Sequence, residues 1–407
     1  MKLSFPSFLC LSPAPKASLT LFFIVFLQFA AIAQRGMITG KIIDETTRKP
    51  ISQASLTVNN RQKGTVTNND GQFMFLLAEV RGTDSLRVSC IGYESVTLEV
   101  LNLNSDKANI ISLVPQVYDL KEIVIKPQSI VSILDEAITT TNALLPVTTN
   151  LNAYYKEFAY SDGKLYKYAD AAVDYTIDNS GKKTKVEMHV IASRVKKDSV
   201  TKDDNWRTQA ESFIKPDKAV KSYYNLHYLD GLTKPKSEEK YDYKIEYLGK
   251  VTKISIDPKP EVEAYLPDVV VYINSERHTI MKVNLGYVTH QKYTPKVNLL
   301  VLAVSVEKNI MTAIYSDNDI PLLRYCRIDM DFKVKLGNKR GLLGSVAEVL
   351  VHNNNALGAD ASYAGNDVYK KSNIFRNGNR FSDDFWLKYN TILPTAEEVE
   401  TLKSEFP

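Results

Sequence analysis

Between Tyr325 and Leu336 the chain reads "YCRIDMDFKVKL", apolar and polar residues alternating over twelve positions. Side chains on a strand point to its two faces in turn. Cys326, Ile328, Met330, Phe332, Val334 and Leu336 therefore share one face, and Tyr325, Arg327, Asp329, Asp331, Lys333 and Lys335 the other. A strand of this length spans about 40 Å at roughly 3.3 Å per residue, against a usual ~17–20 Å. Strands that long twist, and their sheet curls around whatever covers the apolar side. The charged face is expected to stay in water.

The same period recurs in "ADAAVDYTID". Ala169, Ala171, Val173, Tyr175 and Ile177 form its apolar face, and Asp170, Asp174 and Asp178 point the other way. "VVVYINSERHTIMKV" reads as a hairpin turning at Asn274 to Arg277. Helical spacing appears in "SIVSILDEAITTTNALLP", with Ile130, Leu134, Ala137 and Ile138 on one side. Ser132 with Asp135 is positioned to cap its first turn, and Pro146 stops it. A second helix is expected from Pro216, and a last short one after Thr395, with Glu398 completing a capping box and Trp386 anchoring the tail. Residues 129–407 thus predict an α+β domain with a long curved antiparallel sheet and two or three covering helices. Incomplete cover would leave a groove, with Met330 and Phe332 as its candidate apolar wall.

Ahead of this domain the chain turns much more often. "GKIID", "ASLTV", "GTVT", "GQFMFLL", "SLRVSCIGY" and "SVTLEV" are short strand candidates at nearly regular intervals, the pattern of an all-β sandwich. "NNDG" joins two of them. Its oxygens raise the question of a metal. A helix-loop-helix calcium site would need a carboxylate six residues past Gly71, where the chain has Leu77. Asn69, Asp70 and Gly71 instead meet the needs of a hairpin turn, since Asn and Asp tolerate positive φ and Gly adopts it freely.

"GKIID…KPISQASLTV…KGTVTNNDGQFMF…DSLRVSCIGYESVTLEV" resembles the carboxypeptidase regulatory-like domain. Gly40, Asp44, Pro50, Gly64, Asp70, Gly71, Phe73 and Tyr93 fall where that motif has them. The resemblance implies a seven-stranded, transthyretin-like β-sandwich over residues 34–115, an accessory domain and not the zinc-bearing one. "DLKEIVIKP", in the linker 116–128, is similar to the segment that follows this domain in TonB-dependent receptors. The 280 residues after it lack the repeated membrane strands such a barrel requires, so a connecting edge strand is expected. "YDYKIEYLGKVTKISIDPKP" with "LPDVVVYINSERHTIMKVNLGYV" resembles a theme of lipoprotein-carrier-type folds.

Residues 1–33 read as a signal peptide. Lys2 and Lys16 precede "LTLFFIVFL", and "AIAQ" supplies a small-x-small cleavage site before Gln34. The apolar run is short for a membrane span of ~20 residues, so no transmembrane span is expected after cleavage. Net charge is +4, and losing Lys2 and Lys16 leaves +2, which gives no footprint for nucleic acid. Of the mature cysteines, Cys90 and Cys326 are expected as free thiols in apolar surroundings.

The five histidines fall in no zinc-binding spacing, and no nucleophile elbow or phosphate loop occurs. His189 is expected on the wet side of a strand. No catalytic residue, cofactor or metal is nominated. These readings predict an exported, non-enzymatic binding or envelope-assembly protein, in the periplasm or at the outer membrane or cell surface. Its partner would be an envelope protein or a hydrophobic ligand. The alternatives are a periplasmic carrier of a lipid or lipoprotein in a groove of the second domain, and a hydrolase whose site converges from distant strands.

Overall fold

The computed structural model describes residues 37–59, 64–76, 83–116, 127–181, 183–197, 214–287, 296–299, 302–355, 369, 373–376, 383–386 and 389–405. The expected leader, most of the linker, Trp206 and His290 lie outside them. The fold is mainly β.

Seven short strands form the first domain: β1 (Met37–Asp44), β2 (Ser55–Val58), β3 (Gly64–Val66), β4 (Gln72–Leu76), β5 (Ser85–Ser89), β6 (Val96–Glu99) and β7 (Asn109–Leu113). They build two sheets, ordered β4-β1-β7 and β3-β2-β5-β6. Ile38, Ile42, Leu56, Phe73, Phe75, Val88 and Leu113 fill the space between them. β7 was not disclosed by local alternation; it is fixed by parallel pairing with β1, nearly 70 residues away in register (Gly40 opposite Asn109).

The second domain is one long antiparallel sheet. Its strands are β8 (Thr148–Ser161), β9 (Lys164–Asp178), β10 (Lys185–Lys197), β11 (Tyr241–Leu248), β12 (Val251–Pro258), β13 (Asp268–Asn274), β14 (Thr279–Tyr287), β15 (Lys296–Leu299), β16 (Leu302–Tyr315), β17 (Leu323–Leu336) and β18 (Lys339–Asn355). The order is β10-β9-β8-β18-β17-β16-β14-β13-β12-β11, with β15 pairing on β16. The last strand, β18, inserts between β8 and β17 and so joins two separate meanders.

Two helices cover the inner face: α1 (Pro127–Ala143) lies against β11 and β14, and α2 (Pro216–Tyr224) against β10 and β17. α1 starts at Pro127, ahead of the expected first turn at Ser132. Proline suits a helix's first position because its missing N–H has no intrahelical partner there. Thr141 on α1 donates to the Ala137 carbonyl at 2.7 Å and accepts from Ile280 N–H at 2.9 Å, tying the helix to β14. α2 buries Val220, Tyr223 and Tyr224, and the Tyr315 hydroxyl donates to the Tyr223 carbonyl at 2.7 Å. Beneath these helices Tyr155, Val173, Tyr175, Leu322, Cys326 and Ile328 belong to one packed core. A short helix α3 (Asp383–Trp386) and a terminal helix α4 (Ala396–Glu405) belong to the tail.

Gly71 has φ +72, and a Cβ there would lie 2.6 Å from the Ile42 carbonyl oxygen, which is backbone. The left-handed geometry and the close approach act together. Gly71→Val should lower the stability of the first domain by more than ~1 kcal/mol in chemical denaturation. A midpoint unchanged from the parent would contradict the turn's role.

Candidate functional site

The outer face of the long sheet carries a row of charges in cross-strand register. Arg327 on β17 stands opposite Glu348 on β18, Glu348 opposite Lys156 on β8, Lys156 opposite Asp170 on β9, and Asp170 opposite Arg194 on β10. The signs alternate across five adjacent strands. Lys156 Nζ lies 2.7 Å from a Glu348 oxygen, Arg327 lies 3.3 Å from the other, and Arg194 Nε donates to Asp170 at 2.9 Å. Tyrosines complete the acceptors: Tyr325 donates to Glu348 at 2.6 Å, and Tyr154 and Tyr168 donate to Asp170 at 3.0 and 2.9 Å.

The middle of this row is not in water. Lys156 is 2% exposed and Asp170 is 0% exposed. The expectation that the charged face of β17 stays in water is therefore corrected, and the Asp170 side of β9 is interior as well. Lys333 and Lys335 are exposed, but Tyr325 is buried and Arg327 and Asp329 are half covered. His189, expected at the surface, is buried as well. Nothing in local alternation reveals that a later segment of chain will cover a polar face.

The cover is the tail. Trp386 lies under the Arg194 guanidinium at 4.1 Å and edge-on to Tyr154. Trp386 and Ile392 pack with Val66 of the first domain and with Tyr154, Ala172 and Leu350 of the sheet. On α4, Glu398 reaches Lys156 at 3.2 Å. The five-membered row has one excess positive charge, and Glu398 balances it. Thr395 and Glu398 form the expected capping box, at 2.9 and 3.1 Å.

The turn between β3 and β4 of the first domain holds the same tail. Asn68 Nδ2 donates to the Leu393 and Pro394 carbonyls at 3.1 and 3.3 Å, and an Asp70 oxygen accepts from Ala396 N–H at 2.7 Å, at the start of α4. Leu76 N–H donates to Asn390 at 2.8 Å. Asn69 and Asp70 occupy the turn that Gly71 closes. Hydrogen bonds and ion pairs thus run from the first domain through α4 to the middle of the long sheet.

Burial alone would raise the Glu348 carboxyl. The Lys156 and Arg327 cations more than reverse this and hold it at about 2. Burial alone would lower Lys156, but Glu348 and Glu398 outweigh it and raise that ammonium. His352, on β18 under the tail and edge-on to Tyr389, is pushed down to about 3 by burial.

A second feature lies toward the free end of β16, β17 and β18. Phe332, Val334 and Leu343 are buried in a small apolar cluster with Leu302, Val304 and Val306 at its edge. Met330 is half-buried and touches both this cluster and the main core. The apolar stripe of "YCRIDMDFKVKL" is thus divided: Cys326 and Ile328 are helix-covered core, and Phe332 and Val334 belong to the outlying cluster. Next to it along the strands is a cavity of about 660 Å³ lined by Ala303, Val304, Val334 and Leu342, with the cations Lys308, Lys333, Lys335 and Arg340 and the carboxylates Asp162, Glu307 and Asp331. Leu342 stands opposite Lys333, on the sheet face away from Phe332 and Leu343. Leu342 is 39% exposed there. Leu342 and Val304 were missed as site residues because neither lies in the stripe that drew attention to Met330 and Phe332.

Cys90 and Cys326 are free thiols, Cys90 half-buried and Cys326 fully so. Among the described residues no cluster of three His, Cys, Asp or Glu side chains is placed to hold a metal ion, and no helix is long and apolar enough to cross a membrane.

Residues 38–125 match the family model of the CarboxypepD_reg-like domain, in keeping with the seven-stranded sandwich. No curated protein matches the chain. Among solved structures, a DUF1329 family protein from Desulfovibrio piger is similar at 12% identity and TM-score 0.23, covering 58% of this chain and 95% of that one. A LolA superfamily protein from Nitrosomonas europaea is similar at 10% identity and TM-score 0.20, covering 58% and 96%. MucB in complex with MucA(peri) is similar at 7% identity and TM-score 0.17, covering 57% and 100%.

Two outcomes are expected from the clasp. Asp70→Ala removes an acceptor at a helix start, which costs about 1 kcal/mol and should loosen α4, read as faster amide exchange at residues 396–400. A chelator should leave the melting point unchanged, and a fall of several degrees would return the turn to a metal. Acid should weaken the fold in two stages. His352 has a folded value below its ordinary 6.5, so the unfolded state gains the proton first and stability falls as pH drops below about 6.5. Glu348 is likewise depressed, from 4.5 to about 2, and its contribution is lost as pH falls through that range. Melting points measured against pH should show both limbs, and His352→Gln should remove the first.

Proposed function

We propose that this protein is an exported, non-enzymatic binding protein of the cell envelope that takes the apolar part of a ligand at the free end of its long sheet. The observation that carries this reading is the cavity of about 660 Å³ between the ends of β16, β17 and β18. Its volume falls within the ~300–1,000 Å³ of small-molecule sites, and its lining sets Ala303, Val304, Val334 and Leu342 among charged side chains of both signs, which suits an amphipathic ligand. Val304 and Val334 belong both to the cavity and to the Phe332 cluster, so the floor is backed by packed side chains. The groove expected between the sheet and its helices is occupied by the protein's own core, including Tyr155, Tyr175 and Tyr223.

A binding role rather than catalysis is supported by where the titratable groups went. Lys156 with Glu348 and Arg194 with Asp170 are paired in one row beneath the tail. Export is supported by Lys2, the run "LTLFFIVFL" and "AIAQ", which favour a periplasmic or outer-membrane location. The clasp between the domains favours a second reading, an envelope-assembly platform that presents both domains as one body to a partner protein.

Binding of the fluorophore anilinonaphthalene sulfonate separates the two readings. Leu342→Glu, at an exposed position, should leave the melting point within a few degrees and weaken the anionic probe about tenfold or more, since it replaces an apolar lining side chain with a like charge. Unchanged probe affinity in Leu342→Glu would sink the cavity as the site and leave the platform.

A further inference from the structure

A separate cleft lies where the first domain faces the long sheet. In β2 and β5 the residues pointing into the sandwich are Leu56, Val58, Leu86 and Val88, so Ser55, Thr57, Arg87 and Ser89 point outward. That outward face carries hydroxyls and a guanidinium and no carboxylate. Across from it the second domain presents Lys282 on β14 and Arg324 on β17. The space between them is a cavity of about 480 Å³ whose lining includes Ser55, Arg87, Ser89, Cys90, Lys282 and Arg324.

The charges in this cleft do not balance. Its cations are Arg87, Lys250, Lys282 and Arg324, and its carboxylates are Glu94 and Asp317. Asp317 is engaged by Arg277 and by Asn274 Nδ2 at 2.8 Å. Glu94 is exposed. Lys250, at the rim, pairs with Glu276 at 3.0 Å. Lys282 is held across the domain boundary by a neutral group, donating to Gln53 Oε1 at 2.9 Å, and Arg87 reaches the Ser95 hydroxyl at 3.5 Å. Arg87 from one wall and Lys282 from the other, each held by a neutral group, thus face the cavity together with several hydroxyls.

We propose that this interdomain cleft is a binding site for a phosphate-type oxyanion carried on a small polar molecule. Cations on two opposed walls with hydroxyls between them surround an anion from several directions, which suits a tetrahedral group more than a flat carboxylate approached in its plane. The cavity exceeds the size of the bare anion and leaves room for the molecule that bears it. Burial depresses Lys282, and it pushes Arg324 down to about 10. An anion beside Lys282 would relieve the cost of burying its ammonium, so occupancy would also tighten the two domains against each other. The site is distinct from the apolar cavity at the end of β16 to β18 and does not depend on it.

Calorimetric titration of the full mature chain tests this, with inorganic phosphate and pyrophosphate as probes at constant ionic strength set by chloride. Saturable binding of one probe per chain is expected, with a rise in melting point that chloride does not give. Arg87→Gln, half-exposed on the outer sheet face, should keep the unliganded melting point and weaken binding about tenfold, the loss of one charge-assisted contact. Lys282→Met should do the same while keeping the side chain's length. If Lys282→Met does not fold, Arg87→Gln decides alone. Citrate binding more tightly than either phosphate would overturn the oxyanion class. No saturable binding, or full binding by Arg87→Gln, would overturn the site.

Discussion

A lysine with 2% of its side chain exposed must have its charge answered nearby. Lys156 is the middle of a row that runs Arg327, Glu348, Lys156, Asp170, Arg194 across five strands, each residue directly opposite the next. Placing opposite charges at paired positions lets each neutralise its neighbours without leaving the sheet. Three positive and two negative charges still leave an excess, and Glu398 supplies the missing carboxylate from the last helix. Breaking a buried pair is costly because it strands the partner. The tail therefore has to close over the row, and the rest of the domain arrangement depends on that closure.

The same tail segment is gripped by the first domain. Asn68 and Asp70 hold the stretch from Leu393 to Ala396, only two residues ahead of Glu398. Val66 adds an apolar contact shared with Trp386 and Ile392. The β-sandwich and the long sheet are thus joined through a third element that contributes to both. Such a body can present two recesses without changing shape: one apolar, toward the free end of β16 to β18, and one cationic, between the domains.

Much of the fold was legible because it rests on local periodicity. The alternation in "YCRIDMDFKVKL" and "ADAAVDYTID" gave long antiparallel strands. The Asn, Asp and Gly marked a turn, but the expected hairpin is corrected: β3 and β4 lie in different sheets, so the turn carries the chain from one sheet of the sandwich to the other. The Thr395 and Glu398 capping box was visible because it spans one helical turn. What could not be read was which polar faces become interior. Asp170 and Arg327 look like solvent-facing residues in their own strands, and their environment is set by Trp386 and α4. The Lys156–Glu398 contact spans 242 positions and leaves no local trace. Met330 and Phe332 were rightly placed on one face, yet the division of that face between main core and outlying cluster depends on where the helices end. That is a matter of packing rather than of pattern.

The central claim is that the neutralised row and its tail make the two domains one cooperative unit. Differential scanning calorimetry of the mature protein and of Glu398→Lys tests it most directly. The intact protein should melt in a single transition with matching calorimetric and van't Hoff enthalpies. The variant, which sets a like charge beside Lys156, should resolve into two transitions, the sandwich and the long sheet unfolding separately. Two transitions already present in the intact protein, or an unaltered single transition in Glu398→Lys, would contradict the account.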